Sequence, residues 1–175
     1  MNILQDMSTQ TLVWLFIVVF LLHDLEEIIW VEPWIKKNRI RVMTKVPARM
    51  KRSIGSMFNI TSSQFAVAVL IEFLVFIPFT FVAAEQGKFF LFIAFNAIFL
   101  VHVFTHLGQS LYLKMYTPGV ISAVIIVLPY TVYVFNRLLH EGLITWGELL
   151  LSLPVGLILI PIVLLGHEVG KRIVK

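Results

Sequence analysis

The sequence predicts an all-α fold, a polytopic transmembrane bundle of about five spans, and three observations carry that prediction. Of its 175 residues 59% are hydrophobic and 14% charged, against about 45–50% apolar and about 25% charged in an ordinary soluble domain. Mean hydropathy is +0.92, and a soluble fold of this size could not hide so much apolar surface behind so few charges. The apolar residues fall in long runs, close to the roughly 20 residues needed to cross a hydrocarbon core about 30 Å thick. A single transmembrane domain, residues 1–175, follows.

The first span reads from about Ser8 to Trp30 and ends at Glu32-Pro33, where proline stops a helix. Its apolar run, Thr11 to Leu22, has no basic segment before it and no small-residue cleavage site after it, so it is expected to stay in the protein. A basic stretch from Lys36 to Arg52 follows. The second span runs from about Thr61 to Ala84, with Pro78 as a kink, and Ala84-Glu85-Gln86-Gly87 turns the chain. The third runs from about Lys88 to Leu113. Tyr116-Thr117-Pro118-Gly119 is the next turn, and Thr117 as N-cap with Pro118 at the first helical position opens a fourth span to about Phe135. Asn136 to Gly147 is a polar linker, the fifth span runs from about Glu148 to Val169, and a basic tail closes the chain at Lys175. Trp30, Trp34 and Trp146 are expected at the membrane interfaces.

Short loops rich in Lys and Arg stay in the cytoplasm. With the loop after span one inside, twelve of the fourteen basic residues lie inside, and Lys88 and Arg137 outside. The N-terminus is then outside and the C-terminus cytoplasmic. The expected location is a plasma membrane, the inner membrane of a bacterium. The net charge of +4 belongs to this topology and to contact with the lipid bilayer, and no nucleic-acid partner is expected. With no cysteine in the sequence, thiolate metal sites, disulfides and Cys nucleophiles are excluded.

An ionisable group at membrane depth costs several kcal/mol unless paired or hydrated, so each one here asks for a reason. His23, Glu26 and Glu27 stand at i, i+3 and i+4, one face of a helix. Two adjacent glutamates repel unless a proton, an arginine or a metal cation neutralises them. His102 and His106 are one turn apart on span three, with Gln109 on the same stripe, and two such imidazoles can chelate one metal ion. Asn96 lies about 120° away from that face. Glu72 sits near the middle of span two, and His167 and Glu168 near the inner end of span five. His140 and Glu141 lie in the outer linker and read as solvated. The topology puts His23–Glu27, His102, His106, the Tyr116–Gly119 turn, His167 and Glu168 at one depth, in the inner half of the bilayer.

These residues resemble the HXXEE-domain membrane proteins, named for the motif that stands here as His23-Asp24-Leu25-Glu26-Glu27. The family pattern also has a later histidine, matched by His102 or His106, and a YTPG-like turn, matched by Tyr116-Thr117-Pro118-Gly119. The resemblance covers most of the chain. It implies a choice of residues and leaves the reaction open. A weaker similarity is to the glutamate-dependent proteases of the CAAX-processing type, which carry EExxxR. Here Val31 precedes Glu32 with no arginine after Glu26-Glu27, so that likeness is an analogy.

The function expected from these groups is a membrane-embedded metal-dependent enzyme. His23, His102 and His106 with Glu26 or Glu27 would hold a divalent metal, zinc or iron, and the other glutamate would serve as general base. Adding Glu72, His167 or Glu168 would give ligands for two carboxylate-bridged iron or manganese ions. A lipid or lipid-like substrate fits the setting, with hydrolysis and oxidation both open. The alternatives are a transporter or binding protein for protons or divalent cations, for which a homodimer could supply the path, a metal-free hydrolase in which Glu26, Glu27 and a histidine activate water, and a structural or regulatory membrane subunit whose polar groups hold helices together.

Overall fold

The computed structural model describes residues 7–174, so Lys175 of the basic tail lies outside the described residues. Every regular element is a helix and no strand occurs among the described residues. In chain order these are α1 (Thr9–Lys45), a single 3-10 turn (Ala48–Met50), α2 (Lys51–Met57), α3 (Ser62–Gln86), α4 (Phe90–Leu113), α5 (Val120–His140) and α6 (Trp146–Ile173).

Among the described residues four helices, α3 to α6, are long and apolar enough to cross a membrane. The helix holding the expected first span, α1, is not one of the four; it carries His23, Asp24, Glu26 and Glu27 in mid-length. It nevertheless runs the length of the bundle. At one end Gln10 Nε2 donates to Glu85 Oε1 at 2.8 Å, and at the other Lys45 Nζ donates to the Leu113 carbonyl at 2.5 Å.

The expected stop at Pro33 is not observed: α1 continues for twelve residues past it. An internal proline removes one helical hydrogen bond and costs about 3 kcal/mol. Contacts of the extension offset that loss. Trp34 Nε1 donates to the Tyr116 carbonyl at 2.6 Å, which makes Trp34 a bundle contact, and Val42 and Val46 pack with Leu113. Trp30 and Trp146 are exposed.

α3 begins at a capping box, Thr61 Oγ1 accepting from Gln64 N and the Gln64 side chain accepting from Thr61 N, and α6 repeats the device with Thr145 and Glu148. α5 differs from the expectation at its start. Thr117 is not its N-cap; Gly119, at φ +85°, holds that position, so the turn runs through Gly119 and the helix opens at Val120. A π-helical turn, Ala123–Val127, precedes Pro129. Lacking an N–H, Pro129 cannot bond the carbonyl of Ile125, and a widened turn accommodates the gap. α6 consists of two helical halves, Trp146–Gly156 and Leu159–Ile173, joined by a turn at Leu157 and Ile158.

The core is aromatic. Phe16 of α1 meets Phe76 of α3 and Phe92 and Phe99 of α4 edge to face, with ring centroids 5.5, 5.6 and 6.0 Å apart. Phe99 is the last of this stack and underlies the polar cluster, 5.4 Å from the His23 ring and stacked on His102 at 6.4 Å. The apolar core therefore sets the spacing between α1 and α4 at the depth where the polar residues begin.

Candidate metal centre

α1 presents polar residues both to α4 and to the 116–122 segment. One helical turn separates His23 from Glu27, so both reach α4, where His102 and His106 repeat the same spacing. One ligand atom from each of His23, Glu27, His102 and His106 lies within 4.8 Å of all the others. His102 Nε2 and His106 Nε2 approach to 2.7 Å, and His106 Nε2 lies 3.3 Å from Glu27 Oε1. The His23 ring stands 5.3 Å from His102 and 5.0 Å from His106 between centroids, nearly perpendicular to both. His23 and His106 are buried, whereas His102 and Glu27 are half-buried.

The donor set suits a cation. Two bare imidazole nitrogens at 2.7 Å repel unless a proton or a metal lies between them. His23 Nε2 is fully buried and has no hydrogen-bond partner, a condition that normally calls for an ion, a water or a ligand. Around a tetrahedral zinc with bonds of about 2.0–2.1 Å, neighbouring nitrogens stand about 3.3 Å apart, so small side-chain rotations would bring the four donors onto one ion.

Glu26 faces elsewhere. Its Oε1 accepts from the Tyr116 hydroxyl at 2.7 Å and its Oε2 from the Ser122 amide at 2.7 Å. Both oxygens hold the 116–122 segment against α1. Burial, and then the hydrogen bond to Glu26, push the Tyr116 phenol above its usual range, which keeps it a donor. Gly119 follows at the closest point of that segment. A Cβ there would sit 2.5 Å from His106 Cε1 and 2.9 Å from Glu27 Oε1, so the turn presses its backbone onto the cluster.

Asp24 is buried on α1 with its Oδ2 unpartnered. Glu72 of α3 is not a member of the four-residue group. His167 and Glu168, expected at the same depth, are not brought into the group. The His167 ring packs on Phe65 of α3 at 5.1 Å, and Glu168 pairs with Arg172 at 3.0 Å. The reason is the helix surface that carries them. Gly166 and Gly170 frame them one turn apart and press α6 onto Ala68 and Gln64 of α3, a small-residue packing seam. Asn96 is buried in the core with Nδ2 on the Phe92 carbonyl. His140 is exposed, and Glu141 bonds Thr9 and Arg137.

Residues 14–134 match the family described as proteins of unknown function with an HXXEE motif. The chain belongs to that family. It is also 25% identical over 158 residues to an uncharacterized protein of Bacillus subtilis (strain 168), YrkK, with 87% of this chain and 90% of that protein covered. No solved structure matches. The matched segment of the HXXEE protein holds α1 from Trp14 onward, both α4 histidines and the Tyr116–Gly119 turn, and it ends before α6.

Sequence reasoning missed Ser122. The His23 Nδ1 and Ser122 Oγ atoms stand 3.0 Å apart, and the Ser122 hydroxyl lies 3.3 Å from the Gly119 carbonyl. The signal available was a lone serine three residues after the turn glycine, in an otherwise apolar helix start.

Proposed function

We propose that this HXXEE protein is a membrane-embedded metal-dependent enzyme whose single divalent ion, zinc or iron, is held by His23, His102, His106 and Glu27. The observation that carries the reading is the meeting of three imidazoles and one carboxylate from two helices within 4.8 Å. Its setting supports it, because a charge at this depth is costly without a counter-ion. A metal there would supply Lewis acidity and, if iron, a redox couple as well.

The chain's own groups then divide the work. Three neutral imidazoles fix the ion, and Glu27 can ligate or take up a proton through Oε1. Glu26, with both oxygens committed to Tyr116 and Ser122, anchors the turn that covers the cluster. His102 and Glu27 are the two group members with partial exposure, and Thr105, exposed beside His102, has its hydroxyl on the His102 carbonyl at 2.7 Å. A lipid or lipid-like substrate would approach along this side. We place the protein in the bacterial plasma membrane with its N-terminus outside, which puts the cluster in the inner half of the bilayer.

The test is elemental analysis of detergent-purified protein with His102→Ala and His106→Ala beside the wild type. About one zinc or iron per chain, lost in both variants, is expected. A wild type without metal, or variants that keep it, would overturn the reading.

A further inference from the structure

Ser122 bonds two residues of the HXXEE motif at once. Its side chain meets His23 Nδ1 at 3.0 Å, and its backbone amide donates to Glu26 Oε2 at 2.7 Å. His23 and Glu26 are one turn apart on α1, so one residue of α5 bridges adjacent positions of the motif face. Ser122 is 5% exposed and His23 fully buried, which leaves this contact out of competition with bulk water.

The Gly119 carbonyl gives this contact a preferred direction. The Ser122 hydroxyl has one proton, and the Gly119 carbonyl 3.3 Å away can only accept it. With its proton on the Gly119 side the oxygen accepts toward His23, and Nδ1 then carries the ring proton. In a neutral imidazole that leaves Nε2 bare. His23 Nε2 is the buried atom without a partner, on the ring that faces His102 and His106.

We propose that Ser122 is the positioning residue of the site: it holds His23 as its Nδ1–H tautomer and aims the Nε2 lone pair at the shared centre. Glu26 acts through it, pinning the Ser122 backbone so that the hydroxyl stays in register with His23. Metal-ligating histidines are commonly fixed in this way by an acceptor on the far ring nitrogen, and losing such a partner typically costs 10–100-fold in metal affinity. The consequence for affinity rests on the metal reading above; the tautomer claim does not.

Two measurements on full-length protein separate the two. The 15N spectrum of protein labelled at histidine, recorded without metal and assigned with His23→Gln, reads the tautomer directly. His23 is expected as Nδ1–H in the wild type and in Ser122→Thr, which keeps the hydroxyl, and as a mixture or as Nε2–H in Ser122→Ala. An Nε2–H wild-type ring, or no change in Ser122→Ala, overturns the proposal whether or not the protein binds metal. Titration with Co(II) against a competing chelator then reads affinity and, through the visible spectrum, coordination. Ser122→Ala is expected to bind 10–100-fold more weakly with an altered spectrum, and Ser122→Thr within a few-fold of wild type. Unchanged affinity and spectrum in Ser122→Ala overturn the positioning role while leaving the metal centre standing.

Discussion

At the scale of single residues, Gly119 controls how closely the 116–122 segment approaches the cluster. Its φ of +85° is the left-handed region, and its Cα hydrogen faces His106 and Glu27 at a distance no side chain tolerates. Gly119→Ala combines backbone strain with overlap, each of order 1–3 kcal/mol. Because the overlapping atoms belong to two of the four cluster residues, metal retention should fall along with stability. The check is thermal unfolding in detergent beside metal content: a variant with normal metal and normal melting would contradict this account of the turn. Four residues of the cluster were legible in the sequence, since the 3.6-residue period alone puts His23 with Glu27 and His102 with His106. Their mutual approach was legible only as a shared depth. Ser122 was not legible at all. It lies 99 residues from His23, and a serine in an apolar helix carries no periodicity that names its partner. The separate roles of Glu26 and Glu27 were also hidden, because a rotation of about 100° between neighbours is meaningful only once the surrounding helices are known.

At the scale of elements, α6 explains why two polar residues at the expected depth stand apart from the cluster. Gly166 and Gly170 lay one face of α6 against α3, and the intervening His167 covers Phe65. His167→Ala should leave metal content unchanged and lower stability by about 1 kcal/mol through the lost ring contact; loss of metal would show instead that His167 serves the centre. The structure brings α1, α4 and the 116–119 turn together and leaves His167 and Glu168 of α6 apart, since a shared depth says nothing about which side of the bundle a helix presents. The continuation of α1 through Pro33 was hidden for a similar reason: the contacts that outweigh the proline, Trp34 with the Tyr116 carbonyl and Val42 with Leu113, span some 70 to 80 residues of sequence.

The loop between α5 and α6 makes a clasp of a different kind. Glu141 accepts from Thr9 at 2.5 Å and pairs with Arg137 Nε, while Arg137 Nη2 donates to the Met7 carbonyl at 3.3 Å. Thr9 and then Arg137 hold the Glu141 carboxyl below its usual value. A carboxyl whose folded pKa is lowered adds stability above its unfolded pKa and loses it as pH falls through the folded value. Acidification through the carboxylate range should therefore loosen the start of α1, and Glu141→Gln should remove that part of the acid dependence. The group is solvent-accessible, so the effect is small and salt-sensitive. Hydrogen exchange of the Thr9–Thr11 amides across pH reads it; identical profiles in wild type and variant would rule it out.

At the scale of the whole molecule, the ends of the bundle differ in charge, and that difference predicts its orientation. Lys36 to Arg52 brings eight basic residues to the end where α1 overruns the bundle, and no acidic residue stands between Lys36 and Thr61. α1 has 37 residues, about 55 Å at about 1.5 Å per residue, well beyond a hydrocarbon core of about 30 Å. Its basic end must therefore stand in headgroups or water on one side. The positive-inside rule predicts that this side is cytoplasmic, with Lys88 and Arg137 at the far end. The absence of cysteine makes the test direct, because each introduced thiol reports alone. Lys88→Cys, on the exposed α3–α4 turn, should react with a membrane-impermeant maleimide in intact cells. Arg49→Cys, exposed on the 3-10 turn, should react only after permeabilisation. The reverse pattern would turn the molecule over and move the cluster to the outer half of the bilayer, changing which leaflet's lipids could reach His102 and Glu27.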